Sequence, residues 1–261
     1  MIRLIVTDCD GTLMPESTRN LNPAYYDEIR RISEKGIMFA AVSGREYPSL
    51  EMLMSPVKDV AVLVADNGAV LMQNGRDIYT VAFELPMMRD IIRYVRTIPE
   101  ADYYFISTHD GAVTDSKNEK LIRSLEDAYN EKIIRIKDAL QIDTRPMKVA
   151  VHTPAGSKNI VGDARAFFGD RVNVVESGTY WMDFIPPGAD KGKAVEYLQN
   201  RFNISRKETI AFGDNINDIT LLQAAGTSYA VAEAREEVKR IADHTIGSYK
   251  DDSVLQILRS I

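Results

Sequence analysis

Three near-continuous apolar runs, Ile2 to Thr7, Ile37 to Val42 and Val60 to Ala65, constrain the first part of this chain more than any other feature. Each has the length of a strand, and each is apolar through most of its length rather than at alternate positions. Strands of that kind are buried on both faces, which requires a parallel sheet covered above and below by helices. The segments between them can supply the helices. Asn22-Pro23 offers an N-cap and a proline at the first helical position, Tyr25, Ile29 and Ile32 recur at helical spacing, and Gly36 provides the stop. A second helical stretch begins near Glu46. The expected fold class is α/β, with a doubly wound, mainly parallel sheet.

The rhythm then changes. Ala69 to Met72 and Ile78 to Phe83 flank a polar Gln-Asn-Gly-Arg segment and read as a β-hairpin. From about Leu85 to Met182, helices (Pro86 to Ile98, Lys117 to Tyr129, Lys158 to Phe168) mix with strands (Tyr103 to Ser107, Met147 to Thr153, Val172 to Glu176, Tyr180 to Ile185), the pattern of an inserted α+β unit. The core rhythm returns with helix Lys191 to Phe202, strand Thr209 to Phe212, helix Asn217 to Ala225, strand Ser228 to Ala232, helix Arg235 to Ile241 and a closing helix Ser253 to Ser260. The expected division is a core of residues 1–83 and 184–261, split in sequence by a cap of residues 84–183.

Composition narrows the class of partner. With 45% hydrophobic residues, 261 residues bury a sizeable core. No run approaches the roughly 18 apolar residues of a membrane span, and the N-terminal segment lacks a signal-peptide pattern, so no membrane partner and a cytoplasmic location are expected. A lone cysteine, Cys9, forms no internal disulfide. A net charge of −6 without a basic block argues against nucleic acid, while leaving room for a small phosphorylated ligand. The expected assembly is a monomer or small homo-oligomer.

The chemistry-bearing residues fall at the carboxyl ends of the apolar strands, where open α/β sheets bind ligands. Asp8 and Asp10 follow the first run, Ser43-Gly44-Arg45 the second, and Gly213-Asp214-Asn215-Ile216-Asn217-Asp218 the strand Thr209 to Phe212. Acids converging from distant segments repel one another unless a cation sits among them, and oxygen ligands suit a hard ion such as Mg²⁺. With the charge neutralised, a carboxylate becomes a competent nucleophile toward phosphorus, and Asp8 is the candidate. Asp10, two residues on, can protonate the leaving oxygen and then deprotonate water. Gly11 permits a sharp turn, Ser43 and the Gly44 N–H are neutral donors to a phosphate, and Lys191 supplies a cation on the far side.

Asp8-Cys9-Asp10-Gly11-Thr12-Leu13, Ser43-Gly44-Arg45, Lys191 in GADKGKAV and the segment 213–218 resemble, in order and spacing, the four motifs of the haloacid dehalogenase-like phosphatases. The long insertion between Arg45 and Lys191 resembles the α+β cap of the Cof-type, class IIB branch, as do Asn67-Gly68-Ala69 and the tail from Ala242 to Val254. The resemblance implies Asp8 as nucleophile and metal ligand, Asp10 as acid/base with its backbone carbonyl on Mg²⁺, and Asp214 as a further ligand. It also implies Asn217 near phosphate or substrate and Asp218 as a partner of the metal or of Lys191. Arg45 and Asn67 are weaker candidates, and a salt bridge explains Arg45 equally well.

Three activities fit these motifs: hydrolysis of a phosphomonoester such as a sugar phosphate or phosphorylated cofactor, phosphoryl transfer or mutase chemistry through the same intermediate, and a non-enzymatic phospho-acceptor switch. An inserted cap argues against the last. Three scattered histidines, His109, His152 and His244, with one cysteine argue against a zinc site. Tyr180 and Trp181 are expected in cap or hinge packing rather than as a stacking platform, and the acid-rich stretch Glu233 to Asp243 as a solvated helix.

Overall fold

The apolar runs become strands. The computed structural model describes all residues except 17, 130 and 131. The first half of the chain contains β1 (Leu4–Thr7), α1 (Ala24–Glu34), β2 (Met38–Val42), α2 (Tyr47–Leu53), β3 (Ala61–Ala65), β4 (Val70–Gln73) and β5 (Arg76–Thr80). There follow α3 (Leu85–Val95), β6 (Tyr103–Thr108), β7 (Gly111–Thr114), α4 (Glu119–Tyr129), β8 (Ile133–Arg135), β9 (Lys148–His152), α5 (Lys158–Phe168), β10 (Asn173–Gly178) and β11 (Trp181–Ile185). The last part comprises α6 (Lys191–Phe202), β12 (Thr209–Gly213), α7 (Ile219–Ala224), β13 (Thr227–Ala230), α8 (Glu236–Lys239), β14 (His244–Thr245) and α9 (Ser253–Ser260).

The larger sheet has the order β14-β13-β12-β1-β2-β3-β4-β5, parallel from β14 to β3 and antiparallel beyond. It is therefore mainly parallel, as the uninterrupted apolar runs require. Strand order reverses at β1, so the chain ends leaving β1, β2 and β12 surround the crevice where such sheets bind ligands. Asn74 and Gly75 close the β4–β5 hairpin with φ of 50° and 70°, the mirror-image turn whose twist matches the strands.

The smaller sheet has the order β10-β11-β9-β6-β7-β8, and its last strand in the chain, β11, runs two residues beyond the cap boundary expected at 183. One face, carrying Ile106, Val149, Val151 and Phe184, packs against Ile91, Ile92 and Ala164 of α3 and α5. The opposite face carries Tyr103, Phe105 and Ala150, partly covered by Ile122 and Leu125 of α4. This second sheet distinguishes the chain from a small uncapped phospho-acceptor domain.

Some elements differ from expectation. β8, only three residues long, has no counterpart among the expected elements, whereas the polar His109-Asp110 segment is an exposed turn that joins β6 to the four-residue β7. The helix expected from Asn217 begins at Ile219, because Asp218 folds back to accept the N–H groups of Asp214 and Asn215, both at 3.0 Å, and tightens residues 216–218 into a 3₁₀ turn. The helix expected over Arg235 to Ile241 spans only Glu236–Lys239, and Asp243 instead accepts from the backbone and hydroxyl of Ser228. No helix among the described residues is long and apolar enough to cross a membrane.

Candidate active site

The floor of the site is built where β1 and β12 end side by side. Asp8 and Asp10 follow β1, and Asp214 follows β12, whose parallel register with β1 pairs Thr7 with Phe212. Gly11 lets the two segments meet: its φ is +90°, and a Cβ there would stand 2.5 Å from Asp214 Oδ2. Thr12 then donates its hydroxyl to Asp214 Oδ1 at 2.6 Å, which fixes that carboxylate.

Lys191, the first residue of α6, is 2% exposed and reaches into the same floor. Its ammonium donates to Asp8 Oδ1 at 2.6 Å and Asp218 Oδ1 at 2.5 Å. Burial disfavours the ammonium, yet Asp218 and Asp8 outweigh it and raise the lysine above its ordinary value. Burial pushes the Asp8 carboxyl well up, Asp218 and Asp214 add to this, and Lys191 opposes it. Asp214 is pushed up to about 7, by burial first and by Asp218 next.

One lysine thus faces three aspartates, and an oxygen from each of Asp8, Asp214 and Asp218 lies within 4.8 Å of the others. This all-carboxylate donor set fits a hard divalent cation, which would remove the repulsion that raises Asp8 and Asp214. Asp218 bonds Lys191, the partnership that the resemblance implies for it, and the Asp10 side chain is outside this cluster. The physical reason is Arg45, which grips both Asp10 oxygens through Nε at 2.7 Å and Nη2 at 2.6 Å. Arg45 is thus the salt-bridge partner that its position allowed, and its Nη2 also donates to the Thr18 carbonyl at 2.7 Å.

Ser43 and Gly44 leave β2 beside Asp8 and line the same cavity as Asp8, Asp10 and Asn217. Asn67, with φ of 55°, sits in the turn after β3, where its side-chain oxygen accepts from Asn217 Nδ2 at 2.9 Å and its Nδ2 donates to Asp183 of β11 at 2.8 Å. The structure therefore gathers all ten expected site residues around one crevice, with Lys191, Asp214, Asp218 and Asn67 acting from its walls.

The cavity holds about 300 Å³ between this floor and the smaller sheet. Its roof includes Phe105, Leu125, Lys148, Ala150, Trp181 and Asp183, with the buried Ser177 hydroxyl beside Asp183, its rim includes Thr179 and Tyr180, and Glu16 and Asn215 line it from the core. Lys148, 3% exposed, donates to the Gly44 carbonyl at 2.5 Å and lies 3.3 Å from Asp66 and 3.8 Å from Asp183. Ser107 of β6 donates to Asp66 at 2.8 Å. Sequence reasoning missed this clasp between the two sheets. Its signal was a charge inside an otherwise apolar strand, Lys148 in KVAVH and Asp183 in WMDFI.

Trp181 and Tyr180 do more than pack. Trp181 meets Phe105 and His152 at ring distances of 6.0 and 5.0 Å, yet also lines the cavity, and Tyr180 is half exposed at its mouth. His152 pairs with Asp102 at 2.6 Å, His109 lies 3.8 Å from Asp77, and His244 stands exposed on an edge strand against Tyr229. Cys9 is fully buried.

The model of the haloacid dehalogenase-like hydrolases matches residues 5–258, essentially the whole chain. The protein belongs to this family. It is thus a hydrolase of this family, and its inserted sheet has the fold of the Cof-type, class IIB cap. A solved structure from Eubacterium rectale is 32% identical, covers 99% of this chain and 98% of its own, and superposes with a TM-score of 0.87. The 5-amino-6-(5-phospho-D-ribitylamino)uracil phosphatase of Escherichia coli is 23% identical over 100% of this chain and 96% of its own. A HAD subclass IIB sugar phosphatase, BT4131, shares the fold with a TM-score of 0.83 at 17% identity, covering 99% of this chain and 98% of its own.

Proposed function

We propose that the protein is a Mg²⁺-dependent phosphomonoester hydrolase for a small phosphorylated metabolite, working through an aspartyl-phosphate on Asp8. The observation that carries this reading is the Asp8 carboxylate lining the cavity floor while tied to Lys191 and grouped with Asp214 and Asp218. Asp8 and Asp214, with the Asp10 backbone carbonyl, would hold Mg²⁺, and Asp218 would steady Lys191 beside them. When bound, the ion neutralises the charge that otherwise keeps a carboxylate away from an anionic phosphoryl group. Ser43, the Gly44 N–H, Lys191 and Asn217 are the donors for the phosphoryl oxygens.

In the first half-reaction an Asp8 oxygen bonds to phosphorus as the ester P–O bond breaks, and Asp10 gives its proton to the departing alkoxide. In the second, Asp10 takes a proton from water, the water oxygen bonds to phosphorus, and the Asp8–phosphorus bond breaks. Inorganic phosphate and free Asp8 result. Both Asp10 oxygens are held by Arg45, so Asp10 has to turn from Arg45 to reach the leaving oxygen.

A core of residues 1–83 and 184–261 beneath a cap of 84–183 belongs to the same reading. The two separate sheets support it, although Phe83 and Phe184 pack with the cap cluster and β11 continues to Ile185. Multiple turnovers of p-nitrophenyl phosphate with Mg²⁺, lost on chelation and measured as released inorganic phosphate, test the proposal. Stable single phosphorylation of Asp8 without phosphate release would refute it.

A further inference from the structure

The roof of the cavity is graded by strand register. On the face of the smaller sheet turned to the cavity, Ser107 pairs with Lys148, Phe105 with Ala150, and Tyr103 with His152. Across the other edge of β9, Asp183 faces Ala150 and Trp181 faces His152. Ser107, Lys148 and Asp183 therefore lie toward the phosphate crevice, and Phe105, Ala150, Tyr103 and Trp181 lie beyond them, with His152 at the far end turned to Asp102.

The polar end is already committed to protein. Lys148 donates to the Gly44 carbonyl between Asp66 and Asp183, Asp183 accepts from Asn67, and Asp66 accepts from Ser107. What the roof offers the alcohol part of a substrate is chiefly Phe105, Leu125, Ala150 and Trp181, with the buried Ser177 hydroxyl beside Asp183, Thr179 and Tyr180 at the mouth, and Glu16 and Asn215 lining the cavity from the core. Such a surface suits an apolar ring. A polyhydroxylated sugar pressed against these four side chains loses water from the hydroxyls that face them, which is costly. Trp181 is also fixed in place, because the rings of Tyr103, Phe105 and His152 meet it at 89°, 62° and 63°. A fixed indole stacks on a bound ring without paying to order itself first.

We infer that this site takes phosphate monoesters in which a short alcohol arm joins the phosphate to an aromatic or heteroaromatic ring, with the ring seated on Phe105, Leu125 and Trp181. The inference rests on the phosphomonoesterase reading and selects, between sugar phosphates and phosphorylated cofactors, the ring-bearing cofactor class. Close approach of the roof to Gly44 keeps the arm short. The cavity volume of about 300 Å³ is at the low end for ligand sites and fits one ring with its phosphate.

The test is kcat/KM for three esters with the same –CH₂–O–phosphate arm on a six-membered ring: benzyl phosphate, cyclohexylmethyl phosphate and glucose 6-phosphate. Acetyl phosphate serves as a small reference without a ring. Benzyl phosphate is expected to exceed glucose 6-phosphate by at least ~10-fold, the discrimination an apolar contact of this size provides, with the cyclohexyl ester between them. Trp181→Leu is expected to bring the benzyl and cyclohexyl esters to parity, and Phe105→Leu to narrow the same ratio. Glucose 6-phosphate equal to or better than benzyl phosphate, or equal rates for the benzyl and cyclohexyl esters in the wild type, overturns the inference even if a variant fails to fold. Turnover of acetyl phosphate in that case leaves the phosphatase reading standing, whereas no turnover of any ester removes both.

Discussion

Replacing Asp214 by asparagine separates the metal site from the stability of the fold. The Asp214 carboxyl is pushed from 3.8 to about 7, by burial and then by Asp218. At about 1.4 kcal/mol for each pKa unit, keeping it ionised in the folded protein costs up to about 4 kcal/mol. Asparagine removes the charge, while its amide oxygen can still accept from the Thr12 hydroxyl, now at 2.6 Å. Metal-free Asp214→Asn is therefore more stable than the wild type at pH 8, with a melting-temperature gain of up to roughly 8–16 °C at about 2–4 °C per kcal/mol. The sign follows from linkage. An acid whose folded pKa is raised costs nothing below its unfolded value near 4, costs progressively more between there and about 7, and costs a constant amount above. The gain must therefore be present at pH 8, shrink through pH 6 and vanish near pH 4. Mg²⁺ narrows the difference, since binding at 100 times Kd adds about 2.7 kcal/mol to the wild type and less to a protein lacking one ligand. Thermal denaturation across this pH range, with EDTA and then with Mg²⁺, reads both effects. A pH-independent difference between the proteins refutes the electrostatic account, and an equal Mg²⁺ response in both refutes Asp214 as a ligand.

Other substitutions probe the remaining parts. Asp8→Asn is expected to lower phosphate release from p-nitrophenyl phosphate by roughly 10³-fold or more; retention of a few per cent of activity would remove Asp8 as nucleophile. Asp10→Asn is expected to let the phosphorylated enzyme accumulate, seen by intact-mass measurement after a brief substrate pulse as a gain of one phosphoryl group. Lys148→Met leaves Asp66 and Asp183 buried without their shared cation, a loss of about 3–5 kcal/mol. Burial already raises both carboxyls, so the drop in melting temperature should be smaller at pH 5 than at pH 8; the reverse order counts against the clasp. Gly11→Ala places a Cβ against Asp214 and strains a φ of +90°, costing roughly 1–3 kcal/mol. It should blunt the Mg²⁺-induced rise in melting temperature, and an undiminished rise would show that the close approach is unimportant.

Much of the site was legible in the chain because its residues follow strands. Unbroken apolar runs ending at Thr7, Val42 and Phe212 mark β1, β2 and β12, and ligands gather at the carboxyl ends of such strands. Asp8, Ser43 and Asp214 could therefore be assigned to one edge before any packing was known. A short strand without a long apolar run, β8, carried no comparable signal. Asp218 is expected beside the metal or Lys191, but the division of its two oxygens between backbone N–H groups and Lys191 exists only once residues 213–218 have turned back on themselves.

The sequence by itself determined the layering of the core, the insertion of a second sheet and the grouping of acids with Lys191, because hydrophobic period and strand ends are local properties. Only the tertiary structure decided that Asp10 lies in the grip of Arg45, that Lys148 and Asp183 close the roof, and that Phe105 and Trp181 face the crevice. Alternation along β6, β9 and β11 tells which residues share a face, but the larger sheet beneath them settles which face turns inward. The chemistry at phosphorus is thus written in short segments at strand ends, whereas the shape offered to the leaving group arises from how two sheets meet.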